Sequence, residues 1–97
     1  MPLEEIIAQG LNLSVGTKRV ENNYKNLIEK FESEFNILLN VGFEELKNST
    51  KSEIAEGIIR VREGKVFKEP GYDGVYGKIR IFSEIERKEL SKQETLF

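Results

Sequence analysis

The stretch Leu13-Ser14-Val15-Gly16-Thr17-Lys18-Arg19-Val20, continuing through Tyr24, Leu27, Ile28 and Phe31, decides how this chain folds. Leu13 to Gly16 reads as a glycine-containing turn, and Thr17-Lys18-Arg19 opens a helix. Val20, Tyr24, Leu27, Ile28 and Phe31 recur at helical spacing and form one apolar stripe. Upstream, Leu3, Ile6, Ile7 and Leu11 share a face of a helix from Pro2 to Leu11, with Pro2 suited to its first turn. Downstream, Ser33 is placed to cap a short third helix burying Phe35, Leu38 and Leu39, and Phe43 with Leu46 predicts another helical turn. Thr50-Lys51-Ser52-Glu53 fits a capping box, in which hydroxyl and carboxylate satisfy each other's free backbone N–H groups. The helix it opens turns Ile54, Ile58 and Val61 inward, pairs Glu56 with Arg60 outside, and ends at Gly64 in the left-handed conformation. Ile59-Arg60-Val61-Arg62 also alternates like a strand, but the capping box and Gly64 favour the helix.

Beyond Gly64 the period changes. Val66-Phe67 is a short strand candidate, Pro70-Gly71 a type II turn signal, and Tyr72 to Gly77 a glycine-punctuated loop. Lys78-Ile79-Arg80-Ile81-Phe82 alternates, sending Ile79 and Ile81 to one side and Lys78, Arg80 and Phe82 to the other. A two-stranded hairpin packed on the helices is the expectation, since such a hairpin is marginal alone. Ser83-Glu84-Ile85-Glu86 forms a second capping-box pattern before a charged tail helix, and Ser91 to Phe97 reads as an exposed terminus.

Composition narrows the chemistry. A length of 97 residues with 38% hydrophobic content and six Phe suffices for one core, so wholesale disorder is disfavoured. Absence of Cys and His removes disulfides, the usual zinc sites, thiol nucleophiles and imidazole bases. Only one of the 17 acidic residues is Asp, and scattered Glu on helices forms a solvated face, so neither a metal nor a cofactor is expected. No 18-residue apolar run or signal-peptide pattern occurs, which predicts a soluble cytoplasmic protein without a membrane partner. Net charge is −2, which argues against indiscriminate coating of nucleic acid. Its distribution is uneven: residues 1–57 carry −4, residues 58–83 carry +3 and residues 84–97 carry −1. The basic block comprises Arg60, Arg62, Lys65, Lys68, Lys78 and Arg80. Blocks of this size also occur on inert surfaces.

The run from Leu13 to Ile58 resembles the tandem helix-hairpin-helix domains of repair and recombination proteins. The resemblance implies that Gly16, Thr17, Lys18 and Arg19 grip a DNA phosphate, because free N–H groups and the positive end of a helix dipole coincide there. Ser14 stands where the family usually has a further glycine, and the second hairpin, placed around Asn48-Ser49-Thr50, has none. An ordinary helix-packing module fits the same residues. The loop Glu69-Pro70-Gly71-Tyr72-Asp73-Gly74-Val75-Tyr76-Gly77-Lys78-Ile79-Arg80 offers Tyr72 and Tyr76 for stacking on bases and Lys78 and Arg80 for the backbone. It equally suits a hairpin whose tyrosines cap the core.

That loop, with Pro2-Leu3-Glu4-Glu5-Ile6-Ile7-Ala8 and Ile54 to Val66, resembles the C-terminal region of the endonuclease Q family, over nearly all 97 residues. Those repair nucleases cut DNA beside deaminated bases and abasic sites, with their metal centre in a domain of the polymerase-and-histidinol-phosphatase (PHP) type. The resemblance therefore implies an accessory, substrate-engaging part without catalytic residues, partnered by a PHP-type nuclease domain in cis or trans. The last residues, Gln93-Glu94-Thr95-Leu96-Phe97, are similar to sliding-clamp-binding peptides, with Gln93 at a pocket edge and Leu96 and Phe97 buried.

The expectation is thus mainly α with a small C-terminal β-hairpin, a tandem helix-hairpin-helix-like bundle. Residues 1–64 form the helical domain, 65–83 the hairpin, and 84–97 the tail. Its function would be DNA binding and clamp recruitment beside a repair nuclease. The alternative is a structural domain that packs on a catalytic partner without touching nucleic acid.

Overall fold

A computed structural model of the chain describes residues 2–69, 78–83 and 85–89. Its elements in order are α1 (Leu3–Leu11), α2 (Lys18–Phe31), α3 (Glu34–Leu39), α4 (Phe43–Ser49), α5 (Ser52–Arg62), β1 (Phe67–Glu69) and β2 (Lys78–Arg80). Residues 85–89 form a further helical turn. The mainly helical architecture with a β-hairpin near the C-terminus is the one foreseen: β1 and β2 pair antiparallel, with Phe67 opposite Arg80 and Glu69 opposite Lys78.

The centre of the fold is α1. Leu3, Ile6, Ile7, Ala8, Gln9, Gly10 and Leu11 are all buried, so only Glu4 and Glu5 keep part of their surface in water. A helix apolar on most sides must be covered on most sides. Here α5 and α2 flank it, and α3 and α4 pack in turn on α5. Two glycines set how closely α1 and α5 approach. A Cβ on Gly10 would lie 3.1–3.3 Å from Ile54, backbone atoms included, and one on Gly57 would lie 3.2 Å from Ile6 and 3.6 Å from the Phe82 ring. The core that results runs from Leu3 through Val20, Leu27, Ile37, Leu46, Ile54 and Ile58 to Ile81 and Phe82.

Helix ends follow local chemistry in several places. Ser33 Oγ accepts from the Asn36 amide at 3.1 Å, as its position suggested. Gly64, at φ +73°, closes α5 with its amide bonded to Val61 and the Lys65 amide bonded to Arg60, a Schellman arrangement. The second capping-box pattern is realised reciprocally: the Ser83 amide donates to Glu86 and the Glu86 amide to Ser83 Oγ.

Elsewhere long-range packing overrules the local pattern. Thr50 does not cap α5; Lys51 precedes its first residue, and the Thr50 hydroxyl donates instead to Asn23 Oδ1 of α2. In α3 the buried residue is Ile37, while Phe35 and Leu39 stand 70% and 50% exposed. Phe35 and Leu39 lie one turn apart on a common face, and α2 and α5 cover the opposite one. Ile79 and Ile81 do not share a side either. β2 ends at Arg80, the chain bends, and Ile81 and Phe82 are both buried while Ile79 is 40% exposed. Gln9 causes that bend to dock. Its buried side-chain amide donates to the Ile79 carbonyl at 2.8 Å and accepts from the Ile81 amide at 2.9 Å, so it substitutes for a neighbouring strand.

Candidate nucleic-acid interface

The hairpin between α1 and α2 is built from two left-handed residues. Asn12, at φ +55°, ends α1, and Gly16, at φ +99°, lets the chain enter α2. Gly16 is exposed, with nothing within 4 Å of the position a Cβ would take. Thr17 occupies the N-cap of α2 without capping it; its hydroxyl donates backward to the Ser14 carbonyl at 3.1 Å. The first-turn amides of this 14-residue helix therefore have no side-chain acceptor at the cap position.

Charge makes this end unlike the others. A helix N-terminus favours carboxylates, and α1 opens with Glu4 and Glu5, α3 with Glu34, α4 with Glu44 and Glu45, and α5 with Glu53. In α2 the first two positions are instead Lys18 and Arg19, both exposed, ahead of Glu21. Cations there repel the dipole at a cost of about 0.3–1 kcal/mol each. An external anion would offset that cost.

The basic block downstream is largely committed inward. Arg60 donates to Glu56 at 2.9 Å, to both Glu86 oxygens at 2.8 and 3.1 Å and to the Ile81 carbonyl at 3.0 Å, with its guanidinium 4.9 Å from the Phe82 ring centre. The hydrogen bonding from Arg60, followed by that from the Ser83 amide, holds the Glu86 carboxyl down at about 2, and the bonds to Glu86 and then Glu56 raise Arg60 above its ordinary value. Arg62 donates to the Ile37 and Leu38 carbonyls at the end of α3, at 2.9 and 2.8 Å. The i,i+4 pairing of Glu56 with Arg60 is thus present, and both arginines are also tied to more distant parts of the fold. Their donors are spent on carbonyls and carboxylates that would otherwise be unsatisfied.

Arg80, at the end of β2, is brought to the first hairpin: it lines a pocket with Ser14 and Val15, and with Gln9, Asn12 and Arg87. Tyr72 and Tyr76 lie outside the described residues, as do Gln93, Leu96 and Phe97; of Lys78 only the backbone is described. Among the described residues no group of three acidic side chains is placed to hold a metal, and no helix is long and apolar enough to cross a membrane.

The structure also reveals a second bend that composition around Asn48-Ser49-Thr50 did not suggest. Leu39-Asn40-Val41-Gly42 repeats the Leu-x-Val-Gly pattern of Leu13-Ser14-Val15-Gly16 and joins α3 to α4, with Gly42 at the N-cap. The glycine-containing junction sits there, and the signal for it was the repeated tetrapeptide. Arg87 was likewise missed, because nothing local distinguishes it from the other charges of the tail.

A small, mostly helical module with a two-stranded appendage is the class that this fold defines. More particularly, residues 2–65 match the family model of the MJ0043 C-terminal domain, and the chain belongs to that family. It is 34% identical over 79 residues to the uncharacterized protein MJ0043 of Methanocaldococcus jannaschii, covering 81% of this chain and 10% of that protein. Among solved structures it is similar to the lesion-specific endonuclease PfuEndoQ of Pyrococcus furiosus, with 30% identity and a TM-score of 0.73 over 97% of this chain and 23% of that one. Endonuclease Q in complex with a 27-mer duplex substrate, with an abasic lesion at the active site, matches at 32% identity and a TM-score of 0.71, over 86% of this chain and 21% of that one. The resemblance read from the sequence is borne out: this is a C-terminal domain of the endonuclease Q-like type, related to a DNA repair nuclease. It spans a tenth of MJ0043 and less than a quarter of the endonuclease chains.

Proposed function

We propose that the domain engages DNA for an endonuclease Q-type repair nuclease and is not itself catalytic. One observation carries the reading: α2 alone among the five named helices starts with two cations, and its N-cap hydroxyl is turned away from the helix. The exposed Gly16 bend, the first-turn amides and the side chains of Lys18 and Arg19 form a grip for one or two backbone phosphates. A relative crystallised on a lesion-containing duplex supports DNA as the ligand. On this reading Arg80 adds a contact beside the hairpin, Tyr72, Tyr76 and Lys78 extend the surface from the loop, and a PHP-type nuclease domain in cis or trans does the cutting. Gln93, Leu96 and Phe97 dock on a sliding clamp, and weak clamp and DNA contacts reinforce each other through effective concentration.

Binding of short plain and uracil-containing duplexes, titrated with salt, tests the grip. Affinity falls with salt at a slope of about 0.9 per phosphate contacted, and Lys18→Ala with Arg19→Ala removes most of that slope. No binding at ~50 mM salt, or binding indifferent to the two substitutions, would overturn it. Deleting Gln93 to Phe97 abolishes retention on a cognate clamp; unchanged retention removes the clamp role. A second reading, favoured by the exposed Phe35, Leu39, Phe43 and Phe67, is a domain that packs on a catalytic partner without touching nucleic acid, and it predicts no duplex binding in the same assay.

A further inference from the structure

Among Ile6, Ile7, Ala8 and Leu11 the central helix α1 buries one polar side chain, Gln9, which is 8% exposed. Apolar contact has no direction, whereas a hydrogen bond fixes both distance and angle. Gln9 spends both ends of its amide on one extended segment, donating to the Ile79 carbonyl and accepting from the Ile81 amide. These two groups bracket residue 80 and point to the same side of the strand. A slip of β2 by one residue would turn both away, so the pair of bonds fixes the register of β2 on α1.

What Gln9 holds needs holding. Among the described residues the sheet has two strands only, and a two-stranded hairpin is marginal by itself. What lies on the other side of Gln9 is the first bend. Asn12, three positions on, ends α1 in the left-handed conformation and starts the turn through Gly16 into α2. Three residues of helix rise about 4.5 Å. One rigid helix end therefore carries both the bend and the hook for β2.

We infer that Gln9 is a positioning residue. It touches no DNA; it holds the β1–β2 hairpin at a fixed offset from the α1–α2 bend, so that both meet one duplex together. The inference rests on the proposed function, which gives both parts to DNA, and the experiment separates the two claims.

Duplex binding of the full chain is measured for Gln9→Leu, which keeps most of the bulk and removes both hydrogen bonds. Alone it lowers affinity about fivefold. Added to Tyr76→Ala with Lys78→Ala, or to Lys18→Ala with Arg19→Ala, it lowers affinity no further, because an offset matters only between two contacts. A loss of the same size in every background belongs to the fold alone and overturns the inference. So does an unchanged affinity for Gln9→Leu while the hairpin and bend substitutions each weaken binding, and that result leaves the DNA reading standing. If neither pair of substitutions weakens binding, the DNA reading falls and takes the inference with it. Hydrogen exchange on the unsubstituted chain covers the case in which Gln9→Leu fails to fold. Duplex slows exchange at the Ile81 amide more than at the Leu46 amide, which is bonded to Gly42 in another part of the core. Equal slowing at the two reports overall stabilisation and overturns the coupling.

Discussion

The two Leu-x-Val-Gly bends start alike and end in opposite electrostatics. Leu13-Ser14-Val15-Gly16 leads through Thr17 into Lys18 and Arg19, whereas Leu39-Asn40-Val41-Gly42 leads through Phe43 into Glu44 and Glu45. Gly16 needs a positive φ of 99°, but Gly42 sits at −72°, where any residue is comfortable. The second bend places carboxylates in the first turn of its helix, the sign of charge that the helix dipole favours there. The first places Lys18 and Arg19 at its helix start instead, ahead of Glu21. The difference teaches that one Leu-x-Val-Gly pattern can punctuate two helices whose first turns carry opposite charge.

Exchanging the charges breaks the comparison most sharply. Lys18→Glu with Arg19→Glu lowers duplex affinity by at least ~tenfold at low salt and, at the Lys18 position, stabilises the fold by a few tenths of a kcal/mol to about 1 kcal/mol. Chemical denaturation beside a binding isotherm reads both quantities. A loss of stability together with unchanged binding would mean that Lys18 serves the fold.

Next in size comes the pair of glycine substitutions. Gly16→Ala forces a side chain into the left-handed region and destabilises by roughly 1–2 kcal/mol although space is open around it. Gly42→Ala meets no contact and loses only the better N-cap residue, so it stays within about 1 kcal/mol of wild type. Equal effects in thermal unfolding would erase the backbone distinction between the bends.

The smallest effect concerns cations that already have partners. Glu86 titrates at about 2 when folded, below its ordinary 4.5, so its pairing with Arg60 stabilises the fold above the ordinary value and is lost as pH falls through about 2. Glu86→Gln therefore lowers the melting temperature at neutral pH, and the gap to wild type closes on acidification towards pH ~2. Glu86 is partly exposed, which keeps the effect modest. A gap independent of pH would show that shape rather than charge holds residues 85–89 in place.

Much of this architecture was legible because it depends on neighbours in the sequence. The α2 stripe, the Ser33 cap, the Gly64 terminus and the reciprocal Ser83–Glu86 bonds each involve residues a few positions apart. What was misread depends on distant ones. Thr50 had a fitting cap sequence but found Asn23, 27 positions away, and α3 showed apolar residues on two faces with no local reason to bury Ile37 over Phe35. The long-range partners of the basic block were hidden for the same cause. Arg60 and Arg62 look like surface charges until Glu86 and the end of α3 are folded against them. At the candidate site, Gly16, Lys18 and Arg19 could be named from the turn and the helix start, whereas Arg87 and its pocket exist only once the tail meets the first hairpin.

Gln9 gives the molecule an order of assembly. The carbonyl it bonds lies 70 positions further along the chain and the amide it accepts from lies 72 positions further. A polypeptide leaving the ribosome thus carries its central helix long before that helix's last partner has been made. Until Ile81 and Phe82 emerge, the Gln9 amide must stay hydrated and the slot beside Gly57 bare, so the native core closes only after nearly the whole domain has been translated.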